Sequence, residues 1–206
     1  MTMIKLCGIT SDRETDILNE VMPDFAGFVL FFPKSRRNVS LDAACSIKRL
    51  LNKKIRTVAV TVTPDMAQIK AVHDAGFDYI QIHGNIPYEY YDLIDIPVLK
   101  AFNVSDMDEY DKLCSIKQIH GFVFDAPAPG SGSTFDWSVL ADITRSDKLM
   151  FLAGGLKPEN VADAILSTHP DVVDVSSGIE LDTGMGKDSD KIRRFVKNVR
   201  DVDCNN

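Results

Sequence analysis

The fold class this sequence predicts is α/β, a single-domain (β/α)8 TIM barrel, and three observations predict it. Apolar runs of strand length, rich in β-branched and aromatic residues, recur eight times. Between them lie stretches with helical spacing, and run after run ends in a polar or glycine-bearing break. One domain over residues 1–206 follows, since no linker, low-complexity tract or longer repeat interrupts the alternation. A doubly wound open sheet is the alternative, but it usually has fewer strands and often opens on a glycine-rich dinucleotide loop. No GxGxxG follows the first run.

In order, the strands are expected at Ile4–Cys7, Phe25–Phe31, Arg56–Val62, Tyr79–His83, Pro97–Phe102, Gly121–Asp125, Leu149–Ala153 and Val172–Ser176. The helices are expected at Asp12–Met22, Leu41–Asn52, Pro64–Ala75, Pro87–Ile94, Ser105–Ser115, Asp136–Ile143, Pro158–Ser167 and Ser189–Arg200. Pro64-Asp65 and Pro158-Glu159 suit a first helical turn, and Ser40 and Ser105 suit caps.

Composition narrows the function. With 206 residues and 45% hydrophobic content the chain is long enough for one packed core. A net charge of −7 argues against general binding to nucleic acid or an anionic membrane, while leaving room for a small phosphorylated or carboxylated substrate. Cys7, Cys45, Cys114 and Cys204 are far apart and form no CxxC pair, which points to a reducing, cytoplasmic setting. The amino terminus does not read as a signal peptide, and no apolar run approaches the ~20 residues needed to span a bilayer.

A (β/α)8 barrel builds its site at the carboxyl ends of its strands. Lys5-Leu6-Cys7-Gly8-Ile9-Thr10 ends the first strand on a thiol, where partial exposure and loop amides favour the thiolate a base or nucleophile needs. The plain alternative is a buried cysteine filling the strand. Lys34-Ser35-Arg36-Arg37 puts cations over the mouth; either guanidinium suits a carboxylate, and spacing does not separate Arg36 from Arg37. Asp125 closes an apolar strand, a setting that raises a carboxyl pKa and suits a proton donor; a turn cap before Pro127 is the alternative. His83 stands at another strand end, where a histidine more often makes a structural hydrogen bond than it transfers protons. Gly154-Gly155 and Ser176-Ser177-Gly178 follow the last two strands, the place where barrels bind phosphate through bare amides. Gly130 to Trp137 reads as a cover over the site anchored by the only tryptophan. No spacing resembles a metal site, and no serine sits in a GxSxG elbow.

Taken together, KLCGIT, GFVLFFPKSRR, QIHG, GSGSTFDW, LAGGLKPENV and DVSSGIE…GMGKD resemble, from about Ile4 to Arg200, the motifs of phosphoribosylanthranilate isomerase of tryptophan biosynthesis. The resemblance implies a cofactor-free and metal-free Amadori rearrangement of N-(5-phosphoribosyl)anthranilate. In it Cys7 is the general base, Asp125 the general acid and Arg37 the holder of the anthranilate carboxylate. Gly154, Gly155, Ser176, Ser177 and Gly178 then form the phosphate site, with His83 a further substrate contact. The implied partner is a small phosphorylated substrate, with no nucleic acid and no membrane, and the oligomeric state is open between monomer and homodimer. The sixth loop departs from the family pattern of a Gly-Gly pair and a lysine, having Pro129-Gly130 and Ser133. The nearest rival is the related histidine-pathway isomerase, which uses two aspartates and lacks the cysteine base. A catalytically silent barrel that binds a phosphometabolite or a protein partner is a further alternative.

Overall fold

A computed structural model describes residues 1–103, 109–125, 137–140, 143–184 and 186–204. Eight parallel strands form the barrel: β1 (Met3–Cys7), β2 (Phe25–Leu30), β3 (Arg56–Val62), β4 (Tyr79–His83), β5 (Val98–Asn103), β6 (Ile119–Asp125), β7 (Leu149–Leu152) and β8 (Val172–Val175). The sheet closes on itself at β1, where Lys5 sits opposite Phe25 on one side and Asp174 on the other. Asn38–Val39 adds a two-residue parallel pairing beside the end of β2, outside the ring.

Period-two alternation sorts each strand into two environments. Ile4, Leu6, Ala26, Phe28, Ile80, Ile82, Val173 and Val175 face the helices and belong to the larger apolar cluster. Met3, Cys7, Phe25, Val58, Val60, Leu99, Val123, Phe151 and Val172 face inward. The lower part of the barrel is filled by aromatic rings. Phe25 lies 5.4 Å from Phe151 and 5.7 Å from Tyr79, and the Arg56 guanidinium stacks 3.8 Å from the Phe25 ring. This leaves the carboxyl end open for a site.

The helices are α1 (Thr15–Val21), α2 (Leu41–Lys48), α3 (Met66–Asp74), α4 (Tyr88–Tyr91), α5 (Tyr110–Cys114), α6 (Val161–Thr168) and α7 (Ser189–Cys204). Ser40 caps α2 by accepting from the Ala43 amide at 3.2 Å, as expected. Asp65 lies one step outside the first turn it was expected to start. It caps α3 reciprocally with Gln68, at 2.8 and 3.1 Å. The single expected helix Asp12–Met22 is instead a 3-10 turn, Asp12–Glu14, followed by α1. The break has a cause: Glu14 turns inward, and its carboxylate accepts from the amides of Thr10 at 2.7 Å, Ser11 at 3.2 Å and Lys187 at 2.9 Å.

The largest departure is the sixth helix. Asp136–Ile143 is replaced, among the described residues, by a 3-10 turn at Trp137–Leu140. The expected cap Ser105 and the cover segment before Trp137 lie outside the described residues. Trp137 itself packs against the apolar cluster. Among the described residues no helix is long and apolar enough to cross a membrane.

Candidate active site

The strand ends enclose a cavity of about 470 Å³ lined by Cys7, Arg37, His83, Asp125, Gly154, Gly155, Ser176 and Ser177, among others. Eight of the nine residues singled out from the sequence therefore meet in one space. Gly178 stands behind it: a Cβ there would come 2.0 Å from the Leu156 carbonyl oxygen and 2.9 Å from Lys157 Cα. Its bareness lets the loops after β7 and β8 touch.

Cys7 is the last residue of β1 and is only 9% exposed. Its sulfur packs against Gly27, where an added Cβ would lie 2.8 Å away. The amides of Gly8 and Ile9 both donate to the Gly27 carbonyl, at 2.9 and 3.0 Å, so neither is free to stabilise a thiolate. Burial pushes the thiol above its ordinary 9.0; Lys5 pulls it down, Asp174 pushes it up and Lys187 pulls it down, and burial prevails. The expected exposed, amide-assisted thiolate is corrected on both counts.

Beneath Cys7 lies a buried charge pair, Lys5 with Asp174, of which nothing in the local sequence marks the Asp174 half. Lys5 Nζ is 2.5 Å from Asp174 Oδ2, and Lys5 is fully buried. Among the described residues Asp174 Oδ1 has no hydrogen-bond partner, although Asp174 lines the cavity. Burial works against the Lys5 ammonium, but Asp174 and then Cys7 more than offset it, so its pKa is raised.

Arg37 is separated from Arg36 by burial. Its side chain is 12% exposed, against 56% for Arg36. The chain of Arg37 crosses Gly8, whose added Cβ would meet Arg37 Cδ at 2.6 Å. Glu180 holds both guanidiniums, accepting from Arg37 Nε and Arg36 Nη2 at 2.5 Å each, with Lys187 Nζ 3.6 Å away. Arg37 Nη2 is left without a partner among the described residues. Burial works to raise the Glu180 pKa, but the Arg37 hydrogen bond and the charges of Lys187, Arg37 and Arg36 outweigh it and lower it.

His83 ends β4 and contacts the Gln81 amide nitrogen at 2.8 Å. Burial, then the charges of Lys5 and Lys100, depress its pKa to about 4. The ring is neutral near pH 7, so Nε2 accepts from the Gln81 N–H and the proton sits on Nδ1. Lys100 lies within β5, three residues short of its end at Asn103. Its ammonium folds back to the Ala101 carbonyl at 2.8 Å and lies 4.5 Å from the Phe102 ring.

The β7 loop turns through Gly154 and Gly155 at φ +84° and +64°, a region side chains rarely adopt. Among the described residues the amides of Gly154, Gly155 and Ser177 donate to no backbone carbonyl, as an anion site requires. Ser176 Oγ donates to the Cys7 carbonyl at 3.0 Å and so ties the β8 loop to the thiol strand. Pro129, Gly130 and Ser133 lie outside the described residues. Among the described residues no cluster of His, Cys, Asp and Glu is arranged to hold a metal.

The family model described as N-(5'phosphoribosyl)anthranilate (PRA) isomerase matches residues 4–198. The N-(5'-phosphoribosyl)anthranilate isomerase of Streptococcus gordonii is 38% identical over 203 residues, covering 98% of this chain and 99% of that protein. The enzyme of the same name from Acetivibrio thermocellus is 35% identical, with 98% of each covered. Among solved structures, phosphoribosyl anthranilate isomerase from Thermotoga maritima superposes with a TM-score of 0.86 at 34% identity, covering 98% of this chain and 100% of that one. A structure of the same enzyme type in complex with reduced 1-(o-carboxyphenylamino)-1-deoxyribulose 5-phosphate has a TM-score of 0.82 at 33% identity, with 98% and 100% covered.

Proposed function

We propose a division of labour among the cavity residues of this chain, which belongs to the N-(5'-phosphoribosyl)anthranilate isomerase family. The reaction converts N-(5-phosphoribosyl)anthranilate into 1-(2-carboxyphenylamino)-1-deoxyribulose 5-phosphate, and it is a relocation of protons with no net oxidation. Asp125 gives a proton to the ribose ring oxygen, and the ring opens to an iminium. The Cys7 thiolate removes the proton from C2', leaving an enolamine that tautomerises to the ketone. Arg37 turns its unpartnered Nη2 to the anthranilate carboxylate. The bare amides of Gly154, Gly155 and Ser177, with Ser176 and the Gly178 turn, take the phosphate. His83, held neutral, serves as a hydrogen-bond donor to substrate through Nδ1 and not as an acid.

The observation that carries this reading is the meeting of Cys7, Asp125, Arg37, the Gly154-Gly155 loop and the Ser176-Ser177 loop in a single cavity. We place the whole chain in one catalytic domain and in the cytoplasm, where its four free cysteines stay reduced. The test follows the loss of substrate fluorescence with purified protein. Cys7→Ala and Asp125→Asn should each lower kcat by ~10²-fold or more, the range of a lost general acid or base. Parent-like turnover by either variant would remove that residue from the scheme.

A further inference from the structure

The thiol at the end of β1 poses a problem that the loop amides do not solve. A base must lose its proton before it can work, and Cys7 is buried in a barrel whose nearest amides are committed to Gly27. The counter-charge has to come from elsewhere. Among the described residues, the charged groups around Cys7 are Lys5 from β1, Asp174 from β8 and Lys187 from the segment before α7; the cavity wall adds Arg37, His83 and Asp125 and, exposed at its rim, Lys34 and Arg36. Arg37 is held by Glu180, and His83 is uncharged near pH 7. Lys187 Nζ is committed to the Ser176 carbonyl at 3.0 Å, with Glu180 3.6 Å away.

Lys5 is different. It shares the inward face of β1 with Cys7 two residues on, it is fully buried, and its ammonium hydrogen-bonds Asp174 at 2.5 Å while standing close enough to the thiol for the two charges to act on each other. A lysine at the centre of a barrel is costly to desolvate, and one carboxylate contact is a poor structural reason for it. Moreover Asp174 keeps Oδ1 unpartnered, so the pair is not a closed structural unit.

We propose that Lys5 is a positioning residue for the Cys7 base: its ammonium, steered by Asp174, is the buried counter-charge that stabilises the thiolate inside the barrel. The proposal rests on the reading of Cys7 as the base. On Coulombic grounds Lys5 favours the thiolate and Asp174 opposes it, and Lys5 is the closer in effect. Removing Lys5 alone therefore leaves the thiol facing an unopposed carboxylate, whereas removing both charges leaves burial alone.

The experiment measures the rate of iodoacetamide modification of Cys7 against pH, read by mass spectrometry in the parent, Lys5→Met and Lys5→Met/Asp174→Asn. The double variant carries no lone buried charge, and it keeps the test alive if the single variant fails to fold. The midpoint should rise in the order parent, double variant, single variant. A rise of one unit means a tenfold slower modification at a fixed pH below the midpoints. The pH at which kcat/KM reaches half its maximum should move with it, in the same order. Unchanged alkylation midpoints in the folded variants would overturn the role of Lys5 while leaving Cys7 as base, because Cys7→Ala would still be inactive. Shifted midpoints together with an active Cys7→Ala would overturn the base reading, and the positioning role of Lys5 with it.

Discussion

Replacing Arg37 by alanine should weaken substrate binding without slowing proton transfer, and the size of the effect can be worked from the site. Arg37 is 12% exposed, and Glu180 fixes its Nε while Nη2 stays unpartnered. A charge-assisted hydrogen bond from such a preset donor contributes ~1.5–3 kcal/mol. At about 1.4 kcal/mol per tenfold, that is roughly a 10- to 150-fold rise in Kd for a product analogue. Glu180 remains paired with Arg36 and Lys187 in the variant, so little stability should be lost. Arg36 is 56% exposed, and an exposed pair is worth at most about 1 kcal/mol, so Arg36→Ala should raise Kd by no more than roughly fivefold. The assay titrates a reduced, non-reacting product analogue and measures kcat separately, because KM equals Kd only when chemistry is slow relative to dissociation. If Arg36→Ala carried the large effect, or if Arg37→Ala lost kcat with Kd intact, the carboxylate assignment would be wrong.

Asp125→Asn keeps the shape of the acid but not its proton, so kcat should fall by ~10²-fold or more while the same analogue still binds; loss of both together would mark Asp125 as structural. Glu180→Gln should lower the melting temperature at pH 7 and flatten the acid limb of stability. A carboxylate whose folded pKa is lowered stabilises above its ordinary 4.5 and loses that contribution as pH falls through the folded value. His83 works in the same direction for a different reason. Its pKa falls from 6.5 to about 4 in the fold, so the folded state resists protonation and stability declines as pH drops across that window. His83→Gln should remove the part of the slope above pH 4.5, and it should leave the pH profile of kcat/KM between pH 6 and 8 unchanged; a vanished ionisation there would mean His83 titrates in catalysis.

The barrel was legible because its cause is periodic. Eight apolar runs with helical spacing between them leave few ways to bury both faces of every strand, and β3 and β4 appear with the bounds the sequence suggests. Boundaries failed where a long-range contact overrode local pattern. Glu14 reads as one more exposed helical acid, yet it turns in to receive three amides, one of them 173 residues away, and splits the first helix. Nothing near Glu14 in the chain announces Lys187.

The site was legible at its rim and opaque in its depth, and the two halves differ in kind. Strand-end residues declare themselves because a polar break after an apolar run is unusual. Polar residues within the runs, such as Gln81 and Asp174, carry no such local mark, although the same alternation that builds the barrel assigns them. Lys5 lies two before Cys7, Gln81 two before His83 and Asp174 two before Ser176, and each inward-facing pair puts a buried polar group directly under a rim residue. What no pattern supplies is the protonation state of Cys7. That is a balance of burial and one carboxylate against two lysines, the three charges drawn from separate stretches of chain. Changing any one of those charges alters the balance, and a thiolate favoured by residue type at a strand end becomes, in the folded barrel, a thiol that needs Lys5 beneath it.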